Sequence, residues 1–150
     1  MAIASVPSWV AYTSTTYKFS IKHPTDWTPP VTPIPGWGSF FDRDGSNLVV
    51  TWRAITKGTT LTTITNEVWK AMNDSGYTVV GKQTGSIAGR PAQILMVDGK
   101  ATTGQPRHGT VGILVTATGR YRIELWTRPG ADAEDVTLFN AFAGTLSISG

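Results

Sequence analysis

Two histidines, His23 and His108, are the residues of this 150-residue sequence whose side chains titrate near neutral pH. An imidazole can pass a proton once a carboxylate orients it. His108 follows Arg107 at the end of a polar stretch, and Asp98 or Glu124 could reach it through the fold. His108 is therefore the candidate catalytic residue, an acid–base group in search of a neighbour. His23 ends an alternating run just before Pro24, which predicts a capping or surface role. Two histidines without cysteine and without an i, i+4 pair do not make a zinc site, so no metal is expected. No cofactor is expected either: Gly36-Trp37-Gly38 lacks the phosphate-binding pattern. A serine nucleophile would want Gly-x-Ser-x-Gly, and Gly85-Ser86-Ile87-Ala88-Gly89 has its glycines wrongly spaced. Asp42, Asp44 and Ser46 alternate like the opening of a calcium loop, but strand patterns flank them, and Asp-Gly is ordinary turn chemistry.

The six tryptophans are the second source of chemistry. Trp9, Trp52 and Trp69 sit in regular patterns and are expected in the core, as is Trp27. Trp37 ends a stretch with four prolines between Trp27 and Gly38, where an aromatic ring can anchor a partner. Further on, Arg122, Glu124, Trp126 and Arg128 alternate with Tyr121, Ile123 and Leu125, so they form one row of a strand facing away from its apolar side. Arginine beside tryptophan suits an interface, a carbohydrate or a carboxylate. The candidate binding residues are therefore Trp37, Arg107, Arg122, Trp126 and Arg128.

These residues must be positioned by strands and two helices. Tyr17 to Lys22 alternates strictly and pairs with Trp9 to Tyr12 as a hairpin ending at Pro24. The proline-rich stretch from Trp27 to Gly38 reads as a long loop. Asp44-Gly45 lies between two apolar runs and signals a second hairpin. Leu61, Ile64, Val68 and Met72 repeat at helical spacing, predicting a helix over about 60–75, with Thr59 or Thr60 as N-cap and Gly76 as its stop. Strands follow at Tyr77–Gln83 and Pro91–Val97, then an exposed loop over Asp98–Arg107. Strands at His108–Ala117 and Arg120–Arg128 come next. A second helix is expected with Val136, Phe139, Asn140 and Ala143 on one face, and then a short edge strand at Leu146–Ile148. Short connections make neighbouring strands antiparallel. The fold class is α+β: a central antiparallel sheet flanked by helices, an α/β/α sandwich.

Composition bounds the rest. With 40% apolar and 15% charged residues the chain is globular, and its length suits one domain, 9–150, after a linker or vector remnant at 1–8. No apolar run is long enough to span a membrane. The net charge is +3, but the basic residues do not gather on one element, so nucleic acid is not the expected partner. Twenty-three threonines and no cysteine suit an exported or membrane-tethered domain more than a cytoplasmic one.

Tyr17-Lys18-Phe19-Ser20-Ile21-Lys22-His23-Pro24-Thr25-Asp26-Trp27 resembles the opening of the Mog1/PsbP-like superfamily, an aromatic strand running into Pro-x-x-Trp. Ile87-Ala88-Gly89-Arg90-Pro91-Ala92 is similar to a Gly-x-Pro-Ala turn of those proteins, and the closing strand, Pro129, helix and Leu146-Ser147-Ile148 follow the same order. The resemblance covers about residues 10–149. It implies an antiparallel sheet sandwiched by helices, and a bacterial binding or assembly module without a transferable catalytic set. The leading expectation is a non-catalytic binding or assembly domain with a protein partner, the exported or membrane-tethered part of a larger bacterial protein. The alternatives are a small-ligand or polysaccharide-binding module using exposed tryptophan, and a small enzyme using His108 with an acidic neighbour.

Overall fold

Strict alternation makes the first hairpin. Strand β1 (Trp9–Ser14) pairs antiparallel with β2 (Phe19–Pro24), and Phe19 and Ile21 are buried while Lys22 is exposed. The computed structural model describes residues 9–15, 17–25, 27, 37–41, 46–100, 104–127 and 132–149. Trp27 is buried, as expected, its N–H donating to the Pro24 carbonyl at 3.0 Å.

The second hairpin joins β3 (Trp37–Phe41) to β4 (Asn47–Ala54), with Phe41 opposite Asn47. The expected loop is thus shorter than its composition suggests. Trp37 and Gly38 open β3, because β4 extends far enough to offer Thr51 and Val50 as ladder partners. Helix α1 (Leu61–Asp74) follows its periodicity closely. The Thr60 hydroxyl accepts from the Thr63 N–H at 3.2 Å, and Ile64, Val68 and Met72 are buried.

Strands β5 (Thr78–Ile87) and β6 (Arg90–Lys100) meet in a two-residue turn whose Ala88 and Gly89 both have positive φ, 54° and 72°. Next come β7 (Pro106–Val115), β8 (Gly119–Thr127), α2 (Asp132–Ala143) and β9 (Ser147–Ile148). The loop expected over Asp98–Arg107 is corrected here: Asp98 to Lys100 belong to β6, and Pro106 and Arg107 to β7. Their composition is loop-like, but Asp98 pairs with His108, Gly99 with Arg107 and Lys100 with Pro106.

Six strands form one antiparallel sheet in the order β3-β4-β8-β7-β6-β5, and a smaller sheet has the order β1-β2-β9. Helix α1 lies over β5, β6 and β7. Its Ile64, Val68 and Met72 share a core with Val49, Leu95, Val97, Val111, Ile113 and Trp126. On the opposite face α2 and the small sheet enclose the other core, in which Phe19, Ile21, Leu48, Ile123, Leu125, Phe139 and Phe142 meet. The chain therefore has the expected α+β, helix–sheet–helix layering, with the small sheet added to the α2 layer. The inward stripe of α2 needs one correction. Asp135, Leu138, Phe139, Phe142 and Ala143 are buried, whereas Val136 is 55% exposed and Asn140 is exposed too. Leu138 and Phe142 carry more apolar surface than Val136, and they set the rotation of the helix.

Candidate functional site

Alternation along β8 sends Arg120, Arg122, Glu124 and Trp126 to the α1 side of the large sheet, and Tyr121, Ile123 and Leu125 to the α2 side. The row is not the open, solvated face its polarity suggested. Trp126 is only 8% exposed and Glu124 4%. The indole lies over Gly109 of β7, where an added Cβ would come within 2.5 Å of its Cζ3. Gly109 is directly opposite Trp126 in the register, so a bare backbone there is what gives the ring its shelf.

A buried carboxylate needs partners, and Glu124 has two. Its Oε1 accepts from Trp126 Nε1 at 2.9 Å and its Oε2 from Arg122 Nε at 2.8 Å. Glu124 therefore acts as a brace that holds an indole and a guanidinium in fixed orientations. Arg107 caps the arrangement. Its guanidinium carbon stands 5.2 Å from the centre of the Trp126 ring, its Nη2 donates to Asn47 Oδ1 at 2.9 Å, and the Tyr77 ring lies 5.0 Å from Trp126. Of the expected binding residues, Arg107, Arg122 and Trp126 are thus brought together. Trp37 occupies the register position opposite Thr51, which in turn faces Arg122, so it shares their cross-strand row. The Trp37 side chain, like all of Arg128, Asp42 and Asp44, lies outside the described residues.

His108 is on the other face, beside Asp98 rather than Glu124. Its Nδ1 is 2.6 Å from Asp98 Oδ1, the imidazole 16% exposed and the carboxylate 54%. Thr127 sits opposite His108, and its hydroxyl donates to the buried Asp135 of α2 at 2.6 Å. Among the described residues no group of three or more histidines and carboxylates could hold a metal ion. The second histidine departs from its expected surface or capping role. His23 is buried beneath the small sheet's packing, Nδ1 2.8 Å from the Pro24 carbonyl oxygen. Asn47, Tyr77, Gly109 and the Thr127–Asp135 pair were not singled out in the sequence. The one available signal was a glycine inside an apolar strand, which marks a close approach.

No family model matches the chain, and no curated protein matches its sequence. Solved structures do match. The class they define is the PsbP-like α+β fold, and the chain has that fold. The particular structures include cyanobacterial PsbP (CyanoP) from Synechocystis sp. PCC 6803, at TM-score 0.71 and 18% identity over 99% of this chain and 97% of that one. LpqN, a Mycobacterium tuberculosis protein involved in cell envelope biogenesis, matches at TM-score 0.69 and 10% identity, over 100% and 98% of the two chains. A Bacteroides thetaiotaomicron protein matches at 0.67 and 16%, over 93% of this chain and 48% of that one. Among the described residues no helix is long and apolar enough to cross a membrane.

Proposed function

We propose that this chain is a non-catalytic binding or assembly domain with a protein partner, met on the sheet face that carries Arg107, Arg122 and Trp126 and extended by Trp37 and Arg128. The observation that carries the reading is the Glu124 brace. It holds Arg122 by Nε while leaving the side chain as a whole 33% exposed, so little side-chain freedom is lost when a partner binds its terminal amino groups. The likeness to LpqN, a protein of cell envelope biogenesis, supports an exported or membrane-tethered placement over a cytoplasmic one. Trp9, Trp27, Trp52, Trp69 and Trp126 are all buried or half-buried, which counts against a polysaccharide module built on those indoles.

Capture from the source organism's extract tests the reading, with wild type beside Trp37→Ala, Arg128→Ala and Arg122→Lys. Proteins retained by the wild type and lost by these variants, at unchanged unfolding temperature, are the expected result. Identical lanes, or empty ones, would count against it.

A second reading, a small enzyme using His108, is favoured by the Asp98 contact of 2.6 Å. Asp98 accepting from Nδ1–H leaves Nε2 as the basic nitrogen, the arrangement of a general base. A screen of activated esters and phosphoesters would detect it as turnover abolished in His108→Gln. Turnover that is absent, or indifferent to the substitution, would remove it.

A further inference from the structure

We propose that the partner contributes an acidic segment whose carboxylates seat on a square of side chains, Thr51 and Arg53 of β4 and Arg120 and Arg122 of β8; the proposal rests on the binding-domain reading. The register places Thr51 opposite Arg122 and Arg53 opposite Arg120. Directly opposed side chains stand about 5 Å apart, and the next pair on the same face lies about 6.6 Å along the strands. Three guanidinium groups thus emerge within reach of one another, beyond the strands that α1 covers.

Like charges directly opposite one another repel. Glu67 of α1 relieves only one member of the Arg53–Arg120 pair, its Oε2 lying 2.6 Å from Arg120 Nη1. Arg53 is exposed and has no carboxylate partner among the described residues. Arg122 uses Nε on Glu124, and its terminal amino groups have no hydrogen bond among the described residues. Arg120 is paired with Glu67 and Arg122 with the buried Glu124, so Arg53 carries the charge of the square that no described carboxylate neutralises. The outward N–H forks match a carboxylate in shape and charge. A nucleic-acid backbone would ask for a longer track of cations, and the remaining lysines and arginines are dispersed over other elements.

A short fluorescein-labelled poly-glutamate peptide, followed by anisotropy at low salt, is the probe. The wild type should bind it, and Arg53→Glu should weaken binding about tenfold. Lys82→Glu, the same charge change on the exposed edge strand β5, should leave it unchanged, and Arg53→Gln should fall between. No binding, equal weakening by Lys82→Glu, or tighter binding of a DNA oligonucleotide at the same arginines would overturn the proposal. Extract capture that persists undiminished in Arg53→Glu also overturns it while leaving the binding-domain reading in place. Peptide binding weakened by Arg53→Glu, together with empty capture lanes, would remove the protein-partner reading and the partner's acidic segment with it, leaving the square as a site for small anions.

Discussion

At the scale of single residues, the burial of His23 makes stability depend on pH. Burial holds its pKa below the ordinary 6.5, and the hydrogen bond to the Pro24 carbonyl offsets this in part. As the pH falls through 6.5 the unfolded chain takes up a proton that the native state resists. The unfolded state then binds more protons, so the contribution is full above that pH and lost progressively below it. Thermal unfolding at about pH 7 and about pH 5 should therefore show a loss that is smaller in His23→Asn, whose amide can donate to the same carbonyl. Equal losses in both proteins would clear His23 of the effect. Gly109 carries a second residue-scale prediction. In Gly109→Ala the new methyl would meet the Trp126 ring at 2.5 Å, and overpacking of this kind costs about 1–3 kcal/mol. Urea unfolding should report that loss, and near-UV circular dichroism should report a displaced indole. An unchanged spectrum at wild-type stability would mean that the ring has room to spare.

At the scale of elements, α2 separates what a pattern tells from what packing decides. Phe142 is fully buried between α2 and the sheets, so Phe142→Ala should cost about 3–5 kcal/mol. Val136→Ala, on the outer side of the same helix, should stay within about 0.5 kcal/mol. Chemical denaturation of the two variants checks both, and a Val136 effect as large as that of Phe142 would contradict the rotation described. For α1, Thr60→Ala should remove about 1 kcal/mol by leaving the Thr63 N–H without its cap. Both hairpins and α1 were legible because period and turn residues are local information. The rotation of α2 was not, since Val136 and Asn140 fit the helical spacing as well as Leu138 and Phe142 do. Asp98 to Lys100 read as loop because nothing local says that His108, Arg107 and Pro106 will pair with them. The site divides the same way. The row Arg122, Glu124, Trp126 came from alternation alone. Its burial under Arg107 and Tyr77 depends on strands distant in sequence, and so does the choice of Asp98 over Glu124 as the neighbour of His108.

For the molecule as a whole, the large sheet works as a partition with unlike sides. One side bears His108 and Asp98, the other Arg107, Arg122 and Trp126, so no single site combines them. The fold also ties early chain to late chain. Strand β2 is flanked by β1 and by β9, and the Lys22 N–H bonds the Thr145 hydroxyl 123 positions later. A ribosome adding about 5–20 residues per second would take on the order of 6–25 s to cover that separation. For that interval the nascent first hairpin has neither its third strand nor the α2 residues that bury Phe19 and Ile21. Synthesis itself thus creates a timed window in which this apolar hairpin is left to the cell's chaperones.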